Sequence, residues 1–543
     1  MRVADFYCGA GGFSEGFRQA GFDIVFAVDK WAPAVNTFKA NKPNSIVIQD
    51  DVIRISMLPD EDFHSLVPDT EIIIGSPPCV AFSNSNKSGN GDKTLGIELL
   101  KAYLRIVARK KFKENSILQY WVLENVPNIE KYIENEYKAA DLGLDGQFIL
   151  LAKNGASGMY NAKYYGAPTN RKRYLCGDFP SPQMTSEEKD ALPLRAIMES
   201  LGEPNNPVNG YIEDCNYQGL RFPCAEISDH HYSYNLQPFE WETARRQKED
   251  KGYMGKMSFP ENLDKPARTV MATMSSSSRE SMILQTPQGD YRLPTVRETA
   301  TMMSFPIDYK FYGASKGIKH TLVGNSVPPK MSYALAKAIA VDAGEQVPCS
   351  YTPIQHNLEI DFLNLNGTIF CARVEKEKRT IAKFKYHVPY LIISAFRVEL
   401  TNHHSDFDSK QFKWDAEIHY SQGKIRAKKY VIDISESIWD EKFCRKIKSF
   451  ISSLRNNICS SHNEFQKIYC MTSTVRESQQ FYGPYELLDR INNFIRESMS
   501  EEAMKELLQV DSDLPAFPNA ILLGYYMLNL VLEIMKINGQ ERK

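Results

Sequence analysis

What this sequence lacks narrows it first. The opening residues, MRVADFYCGAGG, carry neither a basic leader nor an apolar run, so no secretory signal is expected. No apolar stretch has the ~20 uninterrupted residues of a membrane span. The longest one, residues 520–535, holds Asn529 and Glu533 and reads as a buried helix. The ten cysteines are scattered, without the paired spacing of a metal knot or a disulfide framework. That suits a reducing cytoplasm and leaves a thiol available for chemistry, and no metal-ligand set is expected. Strong charge of one sign is also missing: the formal net charge is −2, so any nucleic-acid surface must be a local patch. Repeats and low-complexity tracts are absent. What remains is 543 residues, 43% apolar and 24% charged, the balance of a soluble globular chain with more than one core.

Residues 1–179 alternate short apolar runs (22–28, 46–49, 72–74, 121–123, 148–151) with helical stretches (14–20, 32–41, 95–110). Such alternation predicts an α/β fold, a doubly wound and mostly parallel sheet. Residues 180–265 are rich in Pro, Asn and Asp with little periodicity, and read as a small loop-rich lobe. A helix is expected near 295–304, and a clearer one over 329–343, with Met331, Leu335 and Ile339 on one face. GEQVPCSYTP marks a linker at 344–353. The expected division is therefore a core over 1–179, a lobe over 180–285, a return segment over 286–343, and an α+β domain over 354–543.

The chemistry sits at the predicted strand ends. Asp5-Phe6-Tyr7-Cys8-Gly9-Ala10-Gly11-Gly12 joins the first strand to a helix, and glycines there let backbone approach a ligand, although a tight turn needs none. Asp29 closes the second strand about twenty residues on, where an acid can accept from ribose hydroxyls. Asp51 follows the third and could meet an adenine edge. Together these suggest a nucleoside ligand. Gly75-Ser76-Pro77-Pro78-Cys79 follows the fourth strand, its prolines holding the chain extended. An isolated cysteine is most often an inert packing residue, but Glu124-Asn125-Val126 ends the next strand. A thiol and a carboxyl group converging on one crevice are the equipment for conjugate addition to a pyrimidine. Carbon 5 of cytosine gains nucleophilicity when a thiolate adds at carbon 6 and nitrogen 3 is hydrogen-bonded or protonated. A thiolate wants positive charge nearby. Arg171 and Arg173, alternating on one strand face, could supply it, or could simply line a solvated edge.

In this order the set resembles the bacterial DNA (cytosine-5)-methyltransferase family: the DxFxGxGG opening, the Pro-Pro-Cys loop, Glu-Asn-Val, the Arg-x-Arg strand, Thr295-Val296-Arg297-Glu298 and Gly324-Asn325-Ser326-Val327-Pro328. The resemblance covers roughly residues 1–342. It implies a Rossmann-like methyltransferase core using S-adenosyl-L-methionine, with Cys79 as nucleophile, Glu124 on nitrogen 3, and Arg171 and Arg173 in support. It further implies that Asp5, Tyr7, Gly9, Gly11, Gly12, Asp29, Lys30, Asp51, Val52, Pro78, Asn325 and Ser326 surround the cofactor. Tyr7 stands where the family usually has a stacking Phe. The target base must leave the duplex to be reached. Val80 and Thr169 replace glutamines of the family pattern, which bears on DNA contact and not on bond making.

The resemblance gives the 180–285 lobe the task of reading a specific double-stranded DNA sequence. Ser83, Arg268 and Arg279 are candidate DNA contacts. A cognate restriction endonuclease is an expected partner, the state monomeric, and the location a bacterial cytoplasm. The last 190-odd residues resemble nothing. A basic cluster (376–385, then Lys424, Arg426, Lys428, Lys429) interleaved with Tyr386, Trp414 and Tyr430 suits a nucleic-acid groove or an ordinary solvated face. Asp415, Glu417 and Lys424 offer nuclease-like groups at unconvincing spacing. Rival readings are a transfer-RNA cytosine-5 methyltransferase and a non-catalytic DNA-binding homologue. The ~100-residue lobe and the complete set of Cys79, Glu124 and both arginines argue against them.

Overall fold

The computed structural model describes residues 1–78, 93–205, 210–232, 234–250, 256–421 and 427–540. It divides into two compact units: residues 1–236 with 260–372, and residues 237–259 with 373–543.

The first unit is built on seven strands: β1 (Arg2–Phe6), β2 (Asp23–Asp29), β3 (Ile46–Gln49), β4 (Ile72–Gly75), β5 (Tyr120–Asn125), β6 (Gly158–Asn161) and β7 (Lys172–Asp178). Their order is β3-β2-β1-β4-β5-β7-β6. The first five run parallel, as expected, while β7 is antiparallel to β5 and β6 antiparallel to β7. Strands covered on both faces read as unbroken apolar runs. Ile72, Ile73 and Ile74 of β4 and Trp121, Val122 and Leu123 of β5 are accordingly buried. Helix α1 (Gly12–Gln19) follows β1, α2 (Ala32–Asn41) follows β2, and α3 (Lys93–Lys111) precedes β5. Strand order reverses between β1 and β4, and in this class of fold ligands bind at the carboxyl ends of the strands at such a switch point.

The return segment supplies α4 (Lys316–Asn325) and α5 (Pro329–Asp342). Helix α5 lies along α1, where Ser332 donates to the carbonyl of Phe13. The stretch read as a linker continues on this unit to Ala372, because its polar groups are bound there. Tyr351 Oη and Ile354 N donate to Asp308, Asn357 N donates to Ala40 O, and Asn364 and Asn366 accept from the backbone of Asp229, His230 and His231.

The second unit is an antiparallel sheet of β8 (Lys385–Ile393), β9 (Phe396–Thr401), β10 (Asp415–Tyr420) and β11 (Lys428–Tyr430), with helices including α6 (Pro484–Ser498) and α7 (Asn519–Gln540). Side chains alternate between sheet faces. Val388, Val398, Leu400, Ala416 and Ile418 join the helices in one core with Trp414, while Tyr386 and Tyr430 pack against it. The aromatics of the basic cluster are thus packing residues. Helix α7 supplies much of this core, and no helix among the described residues is long and apolar enough to cross a membrane. The helix Pro238–Glu249, read from sequence as part of the lobe, belongs to this unit. Arg246 pairs with Asp489 at 3.0 Å, and Asp250 accepts from Tyr386 Oη and Tyr390 N.

Candidate active site

The carboxyl ends of the strands carry many of the predicted residues, in two groups. The first surrounds the turn after β1. Tyr7 leaves the strand at φ 59°, a left-handed conformation that costs a non-glycine residue about 1–2 kcal/mol, and its hydroxyl is tied to Leu99 O of α3 at 2.9 Å. Gly9, at φ 52°, donates its N–H to Asp29 Oδ2 at 2.9 Å, and Trp31 N donates to Oδ1 at 2.8 Å. Burial raises the Asp29 carboxyl above its ordinary value against these two bonds. Each oxygen keeps a lone pair for another donor.

The three glycines of the turn have different reasons. A Cβ on Gly9 would meet nothing within 4 Å, so its face is open to a ligand. A Cβ on Gly11 would lie 2.8 Å from Tyr309 Oη, and one on Gly12 2.3 Å from Val327 O. Those two permit close packing of the return segment. Asp51 caps a short helix by accepting from Ile53 N and holds Lys30 at 2.8 Å, with Val52 buried beside it. Asp5 is fully buried, with one oxygen accepting from Ser14 and the other without a hydrogen bond.

The second group centres on Glu124 at the end of β5, 3% exposed. Arg173 Nε lies 2.9 Å from Oε1, and Ser76 Oγ donates to Oε2 at 2.5 Å. Asn125 Nδ2 donates to Pro77 O at 2.9 Å and pins the start of the Pro-Pro segment to β5. Pro77 is buried and Pro78 exposed. Cys79, Val80 and Ser83 lie outside the described residues. The arrangement fixes one carboxyl group, flanked by a cation and a hydroxyl, at the foot of the segment that leads to Cys79.

The match to a known family covers this whole assembly. The family model of C-5 cytosine-specific DNA methylases spans residues 1–341. The chain belongs to the C-5 cytosine-specific DNA methylase family. It is similar to the type II methyltransferase M.MthTI of Methanothermobacter thermautotrophicus, at 29% identity across 63% of this chain and 98% of that protein. It is similar also to the type II methyltransferase M.NgoPII of Neisseria gonorrhoeae, at 26% identity across 62% and 95%. The methylase is a DNA (cytosine-5-)-methyltransferase with a Rossmann-like core. The transfer-RNA and non-catalytic alternatives are not favoured by this match.

Other motifs of the methylase make contacts within the fold. Arg171, 2% exposed, donates to Val270 O at 3.0 Å and Gly324 O at 2.9 Å, joining the lobe to the end of α4. Thr169 is fully buried, pairs with Ala267 in a short parallel bridge, and donates to Arg268 O. Thr169, one of the two residues that depart from the family pattern, thus fastens the lobe. Arg268 is itself bound to Glu261 through two nitrogens, and Arg279 is half-buried. In Thr295-Val296-Arg297-Glu298, Thr295 and Glu298 form a capping box, and Arg292 grips Glu298 with two bonds of 2.8 Å. Arg297 is fully buried and donates to the carbonyls of Ser228, Pro306 and Tyr309. Asn325 ends α4 exposed, and Ser326 turns inward to Leu322 O. The sequence reading missed Ser76, whose position before two prolines was the available signal.

Proposed function

We propose that the methylase modifies a cytosine within a specific duplex DNA sequence through covalent attack by Cys79, as the modification partner of a restriction endonuclease. The observation that carries this reading is Glu124, clamped between Arg173 and Ser76 at the foot of the Cys79 segment. Thiolate addition to carbon 6 puts electron density on carbon 5, and a hydrogen bond or proton from Glu124 to nitrogen 3 stabilises the negative charge left in the ring. Arg173 holds the Glu124 side chain in place for that contact. Once carbon 5 has taken the methyl group, loss of its remaining proton to solvent and expulsion of the Cys79 thiolate would restore the C5–C6 double bond and the aromatic ring.

The donor we assign is S-adenosyl-L-methionine, which supplies an electrophilic methyl group when bound. The residues present fit it: a Cβ on Gly9 would meet open space, Asp29 has spare acceptor capacity, and one oxygen of Asp5 is buried without a hydrogen bond, all on β1, the turn after it, and β2. Asp29 would accept from the ribose, Tyr7 would flank the adenine, and Asp51 would accept from its amino group. We assign the protein to the cytoplasm, where its DNA is.

Bisulfite sequencing of DNA from a host expressing the protein tests activity and target together. Protection of one cytosine in one recurring sequence is expected. Genome-wide conversion identical to that of an empty-vector host would contradict the proposal.

A further inference from the structure

The sheet of the second unit gives one face to its core and on the other sets charged side chains in register. Glu399 on β9 stands opposite Glu417 on β10, and Arg397 opposite His419. Like charges directly across a sheet repel, and these two carboxyl side chains are only 6% and 4% exposed. Two buried acids side by side need a positive group between them. His419, 2% exposed, stands between the two acids, with Nε2 2.7 Å from Glu417 Oε2 and 3.0 Å from Glu399 Oε2. A single Nε2–H cannot serve both acceptors. Its hydrogen bond goes to Glu417, and Glu399 Oε2 is left buried without an aligned donor, although Lys385 Nζ lies 2.9 Å away.

One nitrogen and two oxygens therefore face each other, all within 4.8 Å. Donors bound at about 2.1 Å to one ion stand roughly 3.0–3.4 Å apart along a polyhedral edge, close to the separations His419 keeps. Imidazole with carboxylate suits zinc, manganese or iron better than calcium or magnesium. We propose that Glu399, Glu417 and His419 form a binding site for a divalent first-row transition-metal ion in the C-terminal unit. The sequence hid it, because the ligands come from two strands and show no metal spacing. Arg397 Nε at 2.6 Å from Glu399 Oε1, Lys429 Nζ at 3.0 Å from Glu417 Oε2, and Lys385 neutralise the acids when the ion is away. Lys385 and Lys429 have exposed side chains that can swing aside, and His404, 3.5 Å from Glu417 Oε1, stands at the same rim. Around an ion, these rim cations would favour an anionic oxygen at the open coordination positions.

The test uses full-length protein stripped with chelator and titrated with Mn²⁺ alone, followed by the loss of the free-ion electron paramagnetic resonance signal. One equivalent should bind, competed by Zn²⁺. Glu399→Gln and His419→Ala should each weaken binding by more than the roughly 10–100-fold that loss of a merely supporting residue costs, with methyl transfer to duplex DNA unchanged. Electron spin-echo modulation of the wild-type Mn²⁺ complex should show ¹⁴N coupling from a bound imidazole, a readout needing neither a variant nor methyl transfer. No bound Mn²⁺ or Zn²⁺ at millimolar concentration, binding indifferent to both substitutions, or a complex without nitrogen coupling would each overturn the site. The triad would then be a hydrogen-bonded network held by Arg397, Lys385 and Lys429.

Discussion

Asp5 shows how far a single residue's position governs its behaviour. Burial pushes its carboxyl up to about 7 from 3.8, a rise that the Ser14 hydrogen bond and Lys42 oppose without cancelling. The folded protein thus holds a proton that the unfolded chain loses above pH 4. The stability this contributes is full below about 4 and lost as pH rises through about 7. At 1.36 kcal/mol per unit the loss is about 4 kcal/mol at most. Denaturant titrations of wild type and Asp5→Asn across pH 4–8 should therefore converge at low pH and separate at high pH, the variant becoming relatively more stable; parallel curves would refute the assignment. Asp29 accepts from Gly9 N and Trp31 N, and on the proposed reading from the cofactor ribose as well. Asp29→Ala should weaken S-adenosylmethionine binding by about 1.5–3 kcal/mol, roughly 10–150-fold, by calorimetry, and leave the target sequence unmoved. A changed recognition sequence with intact cofactor affinity would mean the ligand is misplaced. The position of Asp29 was legible because it ends a strand about twenty residues after the glycine-rich turn. The division of labour was not: Arg173 reaches Glu124 while Arg171 reaches carbonyls 99 and 153 residues away, and no local pattern encodes that.

At the scale of elements, the parallel half of the sheet could be read from its apolar runs, since strands buried on both faces leave no polar alternation. The antiparallel β6 and β7 could not, because strand direction depends on connections and not on composition. The glycine-rich turn was legible as a turn but not as a docking surface for the return segment. With Val327 O 2.3 Å from the Cβ it would gain, Gly12→Ala should lower stability by about 1–3 kcal/mol even without cofactor, seen as a reduced Tm of the apo protein. An unchanged apo Tm with weakened cofactor binding would show that Gly12 serves the ligand instead.

For the whole molecule the unit boundaries matter most. Prolines near residue 350 suggest a chain that could end at 345, yet the strap to Ala372 satisfies Asp308, the Ala40 carbonyl and the backbone around Asp229. A 1–345 fragment would leave those groups unpaired. Residues 237–259 pose the opposite problem, since their partners lie in the second unit. Helical periodicity announces an amphipathic helix without saying what it packs on. The predicted autonomous core is residues 1–372 with 237–259 replaced by a short Gly/Ser linker. It should be soluble and unfold cooperatively, whereas 1–345 should be aggregated or several kcal/mol less stable by denaturant titration. Equal stability of the two fragments would remove the strap from the account.

The central claim, covalent attack by Cys79 at a base held by Glu124, is tested most directly by trapping. A duplex carrying the target sequence with 5-fluorocytosine is incubated with the protein and S-adenosylmethionine, then denatured and resolved by gel and mass spectrometry. Fluorine cannot leave as the carbon-5 proton does, so the wild-type adduct should persist, map to Cys79, and be absent from Cys79→Ala. A wild-type enzyme that methylates ordinary cytosine in this duplex yet yields no adduct, or an adduct mapping to another cysteine, would contradict it.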